Sequence, residues 1–425
     1  MAERRPFFSV VIPTTRPHYL KYSLASVLAQ TFGNFEVVIA FNRDESVPAL
    51  VDLPDDPRIK VVEAPEFLIM YDNWENGFRH ARGQWRMLLG DDDCLIPQAL
   101  ELIARALKET PDAEVMLWRW GGYVTAGWRP DQMEGRAQLP SYSGRIDVRT
   151  SEDVARLVYS FDPDRMGEMK QWLPSVMRGV VRAEIVEAIW ARTGMFCMPL
   201  SPDYGSAAQI LALSKSVHFL DFPIVILNHT SDSMSAGMDG QTKTRRVHFW
   251  DLVQDPFFHH TVVQNRNETN RPAVCETLMR VREKYAELVA IAPFRLVSFL
   301  DWYYAGLLES SKRGTDIAVP LDELNEVVAG LPSGDRQELE GRMAFRRASV
   351  NAEAPQQGVI SRLRSSVARL AASVTWGTRL SGRLAPRFGL DFSGRNSNAR
   401  TILDFTTYCG KVIEASRHAH PPSEL

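Results

Sequence analysis

An α/β fold with a mostly parallel sheet flanked by helices is what the first 120 residues predict, and three observations carry the prediction. Compact apolar runs of strand length alternate with stretches of helical periodicity. The runs are rich in β-branched residues, as strands buried in such a sheet are. Glycines or prolines stand where the elements should stop.

Taken in order, FFSVVIP (Phe7 to Pro13) reads as a buried strand closed by the loop TTRP. YLKYSLASVLAQTF places Leu20, Leu24, Val27 and Leu28 on one helical face, with Gly33 just beyond. FEVVIAFN is a second strand and RIKVVEA a third. MYDNWENGFRHARG is a helix ending at Gly83, and QWRMLLG is a fourth strand. QALELIARALKET resumes helical spacing after Pro97, and AEVMLWRW returns to strand. Beyond residue 120, GGYVTAGWRPDQMEGRAQLPSYSGRIDV reads as a loop or hairpin insertion, and SEDVARLVYSF and AEIVEAIWARTG as amphipathic helices. VHFLDFPIVILNH reads as a pair of short strands. Residues 236–350 are mainly helical in pattern, and EAPQQG suggests a linker.

A chain of 425 residues exceeds what one core usually serves, so two or three units are expected. At 45% hydrophobic and 24% charged it is ordinary globular material, and its net charge of −3 excludes a globally basic nucleic-acid binder. Cys94, Cys197, Cys275 and Cys409 form no CxxC pair, which argues against a zinc site or a disulfide framework and for a reducing compartment. No apolar stretch has the length of a spanning helix, and the N-terminal one is too short for a signal-peptide core. A cytoplasmic location is expected.

The chemistry concentrates in RMLLGDDDCLIP, where three adjacent carboxylates follow a strand. In parallel sheets ligands bind beyond the carboxyl ends of the strands, so Thr14, Asn42 and Asp91 are expected on one rim. Clustered aspartates there suit a hard cation, Mg²⁺ or Mn²⁺, that shares its coordination with phosphate oxygens. A solvated turn or helix start is the structural alternative.

The run SVVIPTTRPHYLKYSLASVLAQTFGNFEVVIAFN, followed by YDNWENGFRHARGQWRMLLGDDDCLIP, resembles the family-two glycosyltransferases of GT-A fold. The resemblance implies a metal-dependent, inverting, hexosyltransferase-like enzyme. It would move a sugar from a nucleotide-diphosphate donor to a hydroxyl of a saccharide or lipid-linked acceptor, in surface polysaccharide or lipopolysaccharide assembly. It further implies that Pro13, Thr14 and Asn42 hold the nucleotide. Asp91 and Asp92 would meet the nucleotide sugar, and Asp91 and Asp93 the metal in the D-x-D manner, though the triplet also permits Asp92 as the main ligand. His229 is a candidate third metal ligand. Asp203, in PLSPDYGSAAQIL, is implied as the base that deprotonates the acceptor. Where the family usually ends its second strand in aspartate, this chain has Phe41 and then Asn42.

The expected organisation is a catalytic GT-A unit at 1–235, a helical extension at 236–350 and a basic amphipathic segment at 351–425. The last contains Arg362, Arg364, Arg369, Arg379, Arg383 and Arg387, with Val359, Ile360, Leu363, Val367, Leu370 and Val374 at helical spacing. Such a helix can lie on anionic lipid at the inner face of the plasma membrane or pack on the protein itself. A nucleotidyltransferase would need a glycine-rich loop that TTRPHYLK lacks, and a dehydrogenase a GxGxxG. A non-catalytic nucleotide-sugar-binding or scaffold protein on a GT-A fold is the standing alternative.

Overall fold

The computed structural model describes residues 5–43, 49–50, 53–125, 137–230, 252–253, 258–265, 268–353, 390–392 and 401–419. Its centre is an 11-stranded sheet. The strands are β1 (Phe8–Thr14), β2 (Phe35–Phe41), β3 (Ile59–Glu63), β4 (Trp85–Leu88), β5 (Cys94–Leu95), β6 (Val115–Val124), β7 (Ala137–Leu139), β8 (Ile146–Thr150), β9 (Gly179–Arg182), β10 (Ser216–His229) and β11 (Leu390–Phe392). Strands β3, β2, β1 and β4 lie side by side and parallel. The short β9 then runs antiparallel between β4 and β6, so β6 again points with β4, and β10 is parallel to β6. This is the expected mostly parallel sheet. Its core strands are buried along nearly their whole length: Val10, Val11 and Ile12 of β1 and Val37, Val38 and Ile39 of β2 are fully inaccessible.

Helices cover both faces. Helix α1 (Pro17–Leu28) starts with proline, whose fixed φ suits the first helical position, and buries Leu20, Leu24 and Val27 as their spacing required. Helix α2 (Met70–His80) turns out shorter than expected, because Ala81 is already extended. Its Gly77 is where the helix meets the sheet: an added Cβ would lie 2.5 Å from Val11 Cγ1. Asn73, one turn earlier, donates to Ala40 O at 3.0 Å. The Asn-x-x-x-Gly spacing is thus a helix-to-sheet docking device.

Next come α3 (Ala99–Glu109), α4 (Ser151–Tyr159), α5 (Met166–Trp172), α6 (Ala183–Thr193) and α7 (Pro202–Leu213). Thr150 caps α4 by accepting from Asp153 N. The expected pair of short strands at 217–229 is one long strand, β10, with register shifts at Leu220 and Pro223. It stays whole because β6 pairs with it on both sides of the irregularity, while Asp221 is held by Arg119 and by Ser143.

Helices α8 (Arg271–Lys284), α9 (Ala286–Ile291), α10 (Leu296–Lys312), α11 (Ala318–Gly330) and α12 (Ser333–Glu353) supply the helical region. Val274, Leu278, Phe299, Tyr303 and Leu339 share one apolar cluster with Leu88, Leu117 and Val181 of the sheet. The fully buried Asp301 of α10 is paired with Arg346 and Arg342 of α12. Helix α13 (Ile402–Ala419) crosses to the opposite face, where Ile402, Phe405 and Cys409 are buried among Leu95, Ile96 and Leu100. An added Cβ on its Gly410 would lie 2.8 Å from Pro97 Cδ. The arginine-rich stretch from 354 to 389, most of the EAPQQG linker, Trp128, Ser231, Ser233 and Ser235 lie outside the described residues. Among the described residues no helix is long and apolar enough to cross a membrane.

The segment 258–265 is clasped to α8 by His260, whose Nδ1 meets Glu276 and whose Nε2 meets Glu283, both at 2.9 Å. Burial lowers the His260 pKa, but the two carboxylates outweigh it and the net shift is upward from 6.5. A raised folded-state pKa gives stability that is complete below 6.5 and lost as pH rises through the folded value. Amide exchange in 258–265 is expected to quicken severalfold above that value in the native protein. His260→Gln should show no such pH step.

Candidate functional site

The parallel strands deliver the expected residues to one rim. Asn42 follows β2, and its N–H donates to Thr14 O at 2.9 Å. Thr14 Oγ1 donates to Asp91 Oδ2 at 2.7 Å and accepts from Arg16 N at 2.9 Å, so the loop after β1 is tied both to itself and to the acidic loop. Arg16 then turns its guanidinium onto the triplet: Nη2 pairs with Asp91 Oδ1, and the same nitrogen lies 3.3 Å from Asp92 Oδ2. Burial would lower the Arg16 pKa, yet Asp91 and Asp92 more than compensate and raise it.

The far side of the triplet meets the end of β10. Asn228 N donates to Asp93 Oδ1 at 2.9 Å, and Thr230 Oγ1 lies 3.4 Å from Asp92 Oδ2. Burial raises the pKa of Asp91 against the pull of Arg16 and Thr14. It raises that of Asp93 well above the usual range, helped by the neighbouring Asp92 and opposed by the Asn228 amide. Asp92 has the more open carboxylate, its side chain 11% exposed against 4% for Asp91.

Three adjacent carboxylates are oxygen donors of the kind a hard cation takes, and Asp92 is the most exposed of them. Among the described residues no group of three His, Cys, Asp or Glu side chains is arranged to hold a metal ion. A cation here would therefore complete its shell from ligand oxygens and water. His229, the last residue of β10, sits between Asn228 and Thr230, which touch the triplet, but its ring flanks β6: Nε2 is 3.6 Å from where a Cβ on Gly122 would be. Pro13 is half-buried within β1.

Asn42 has a structural task. Its Nδ2 donates to Leu68 O at 2.6 Å and its Oδ1 accepts from Leu68 N at 2.9 Å, which fixes the loop leading into α2. Phe41 is 2% exposed and packs in the core.

Asp203 stands in the first turn of α7, after Pro202 at the first helical position. The chain arrives through Leu200, a non-glycine residue at φ 74°, a conformation that costs on the order of 1 kcal/mol and is characteristic of functional loops. Burial raises the Asp203 pKa, while the Tyr204 amide and the Arg178 guanidinium oppose the rise. The preceding loop is held by Glu75 of α2. Its carboxylate accepts from Phe196 N at 2.8 Å, Cys197 N at 2.9 Å, Trp190 Nε1 at 2.6 Å and Arg79 Nε at 2.8 Å. Arg79 also stacks on Trp190, and His80 and Arg82 bond to Asn76 O and Glu36, so all three residues serve the helix and its surroundings.

Arg16, Thr230, Asn228, Glu75 and Arg178 were not singled out by the sequence. Arg16 had a signal, since a cation in the loop after β1 shares a rim with three aspartates. Glu75 had none, because its four partners come from three separate segments.

Residues 9–160 match the family model described as glycosyl transferase family 2, which bears out the resemblance read from the sequence. The uncharacterized protein y4gI of Sinorhizobium fredii (strain NBRC 101917 / NGR234) is 32% identical over 134 residues, 30% of this chain and 14% of that protein. The chain thus spans a small part of this curated relative. Among solved structures, S. aureus TarS 1-349 in complex with UDP-GlcNAc is similar over 80% of each chain, at 13% identity and a TM-score of 0.41. The mannosyltransferase PcManGT from Pyrobaculum calidifontis, in complex with GDP-Man and Mn²⁺, is similar over 83% of this chain and 88% of that one, at 15% identity and a TM-score of 0.37.

Proposed function

Because residues 9–160 carry the glycosyl transferase family 2 pattern, we propose that the protein is a metal-dependent sugar transferase using a nucleotide-diphosphate donor. The observation that carries this reading is the cluster of Thr14, Arg16, Asp91 and Asp92 on one rim of a parallel sheet. Asp91 and Asp92 would hold Mn²⁺ or Mg²⁺, which supplies charge neutralisation for the diphosphate leaving group. Thr14 orients Asp91, and Asp93, bonded to the β10 amide, fixes the loop against the strand. Arg16 offsets part of the charge of Asp91 and Asp92 and offers a planar fork of the kind that suits phosphates.

Asp203 is the base for the acceptor hydroxyl, in a transfer that inverts the anomeric centre. Its raised pKa makes it a better proton acceptor than an ordinary carboxylate. Product stereochemistry, read by NMR, tests inversion directly. Surface polysaccharide or lipopolysaccharide assembly at the inner face of the plasma membrane, with a saccharide or lipid-linked acceptor, is the setting this reading favours.

A panel of nucleoside diphosphates titrated with and without Mn²⁺ tests the donor site. One nucleotide is expected to bind in a metal-dependent way, and Asp92→Asn to weaken it about tenfold or more. Metal-independent binding that Asp92→Asn leaves unchanged would remove the triplet from the site. Absence of any nucleotide binding by folded protein would favour a scaffold on the same fold.

A further inference from the structure

Arg178 precedes β9 in a turn that abuts the end of β4, where Leu88 N donates to Val176 O at 2.9 Å. Its own carbonyl accepts from Trp118 N at 3.2 Å, which seats the residue between β4 and β6 at the carboxyl rim. The guanidinium lies 4.3 Å from the centroid of the Trp120 ring. It forms no ion pair among the described residues, although Asp203 and Tyr204 are close enough to act on it through space. Burial pushes its pKa down, the expected cost of enclosing a cation without a bonded counter-charge.

The arginine has cationic neighbours. Lys170 of α5 feels Arg178, Arg271 and Arg313, with Glu309 opposing them. Arg271 is 5% exposed, donates to Glu309 Oε2 at 2.9 Å and acts on Tyr204. Arg178 and Arg271 thus both act on the first turn of α7, and Lys170 feels both of them, while among these three cations Arg271 has the bonded carboxylate Glu309. A folded chain gains nothing in stability from gathering like charges in a partly enclosed place. The arrangement becomes favourable when an anion enters, and the planar fork of an arginine stacked on tryptophan is suited to phosphate.

We propose that Arg178, with Lys170 and Arg271 behind it, forms a subsite for a phosphate group on the acceptor, next to the base that activates the acceptor hydroxyl. The inference rests on the role of Asp203 given above. The donor diphosphate has its own place at Asp91 and Asp92, so the second cationic centre implies a second anion. Trp120, under the guanidinium, would then form one wall of the acceptor channel.

Inorganic phosphate and glycerol 3-phosphate are the probes, titrated by calorimetry into the full chain, alone and with saturating nucleoside diphosphate and Mn²⁺. Both probes are expected to bind with the nucleotide already in place. Arg178→Gln should weaken them about tenfold while leaving nucleotide affinity within about twofold. Arg178→Lys should recover part of the loss. Should Arg178→Gln fail to fold, Lys170→Gln, on an exposed position of a helix, is expected to weaken the probes by roughly threefold. Probe binding that is equal in wild type and variants overturns the proposal. So does probe binding that disappears whenever nucleotide is bound, because the arginine would then serve the donor. If no nucleotide binds but the phosphate probes do, and depend on Arg178, the donor reading fails and the anion subsite stands.

Discussion

Asp203→Asn is expected to lower kcat for sugar transfer by about 10²–10⁴-fold, the usual contribution of a positioned general base, with nucleotide affinity unchanged. The substitution keeps the size of the side chain and its place in the first turn of α7, so stability should move by less than about 1 kcal/mol. The pH profile gives an independent check. Burial raises the Asp203 pKa above 3.8, so the carboxylate is lost at a higher pH than an exposed aspartate would lose it. The acid limb of the kcat profile should therefore break above 3.8, and it should be absent from the residual activity of the Asn variant. A variant as active as wild type would sink the assignment of the base and favour a scaffold.

Glu75→Ala is expected to cost about 3 kcal/mol of stability, because charged hydrogen bonds contribute about 1.5–3 kcal/mol and the change strands several donors. The Phe196 and Cys197 amides and the Trp190 indole would all lose their partner. Glu75→Gln, which keeps one acceptor oxygen, should lose about half as much. Denaturant midpoints at constant slope would measure both. The carboxylate also fixes the loop that leads into α7, so kcat should fall with stability while nucleotide affinity holds. Equal midpoints for wild type and Glu75→Ala would show that the bonds contribute no net stability.

The sheet was legible because its strands are buried on both faces. FSVVIPT and FEVVIAF are apolar nearly throughout, and a run of that length has no better place than the middle of a parallel sheet. The rim was legible from the same rule, since Thr14, Asn42 and Asp91 each follow a strand. What escaped depends on partners far apart in the chain. The continuity of β10 is decided by β6, about a hundred residues earlier, which no local pattern near Asp221 and Pro223 announces. Asn42 looked like a ligand-facing amide, and the sequence does not reveal that Leu68 occupies both its groups. Arg178 carries no mark in the sequence; only folding puts it on Trp120 beside α7.

Helix α13 bears on when the acidic loop becomes complete during synthesis. Phe405 and Cys409 close the apolar layer behind Leu95 and Ile96, and Gly410 lies against Pro97, so this wall of the loop is translated about 300 residues after the loop itself. At ribosomal speeds of roughly 5–20 residues per second, the aspartates wait at least about 15 s for their backing. A nascent chain carrying only the first 230 residues would hold the acidic loop without its finished support. Competence for transfer would then arrive late in translation, when the returning helix docks.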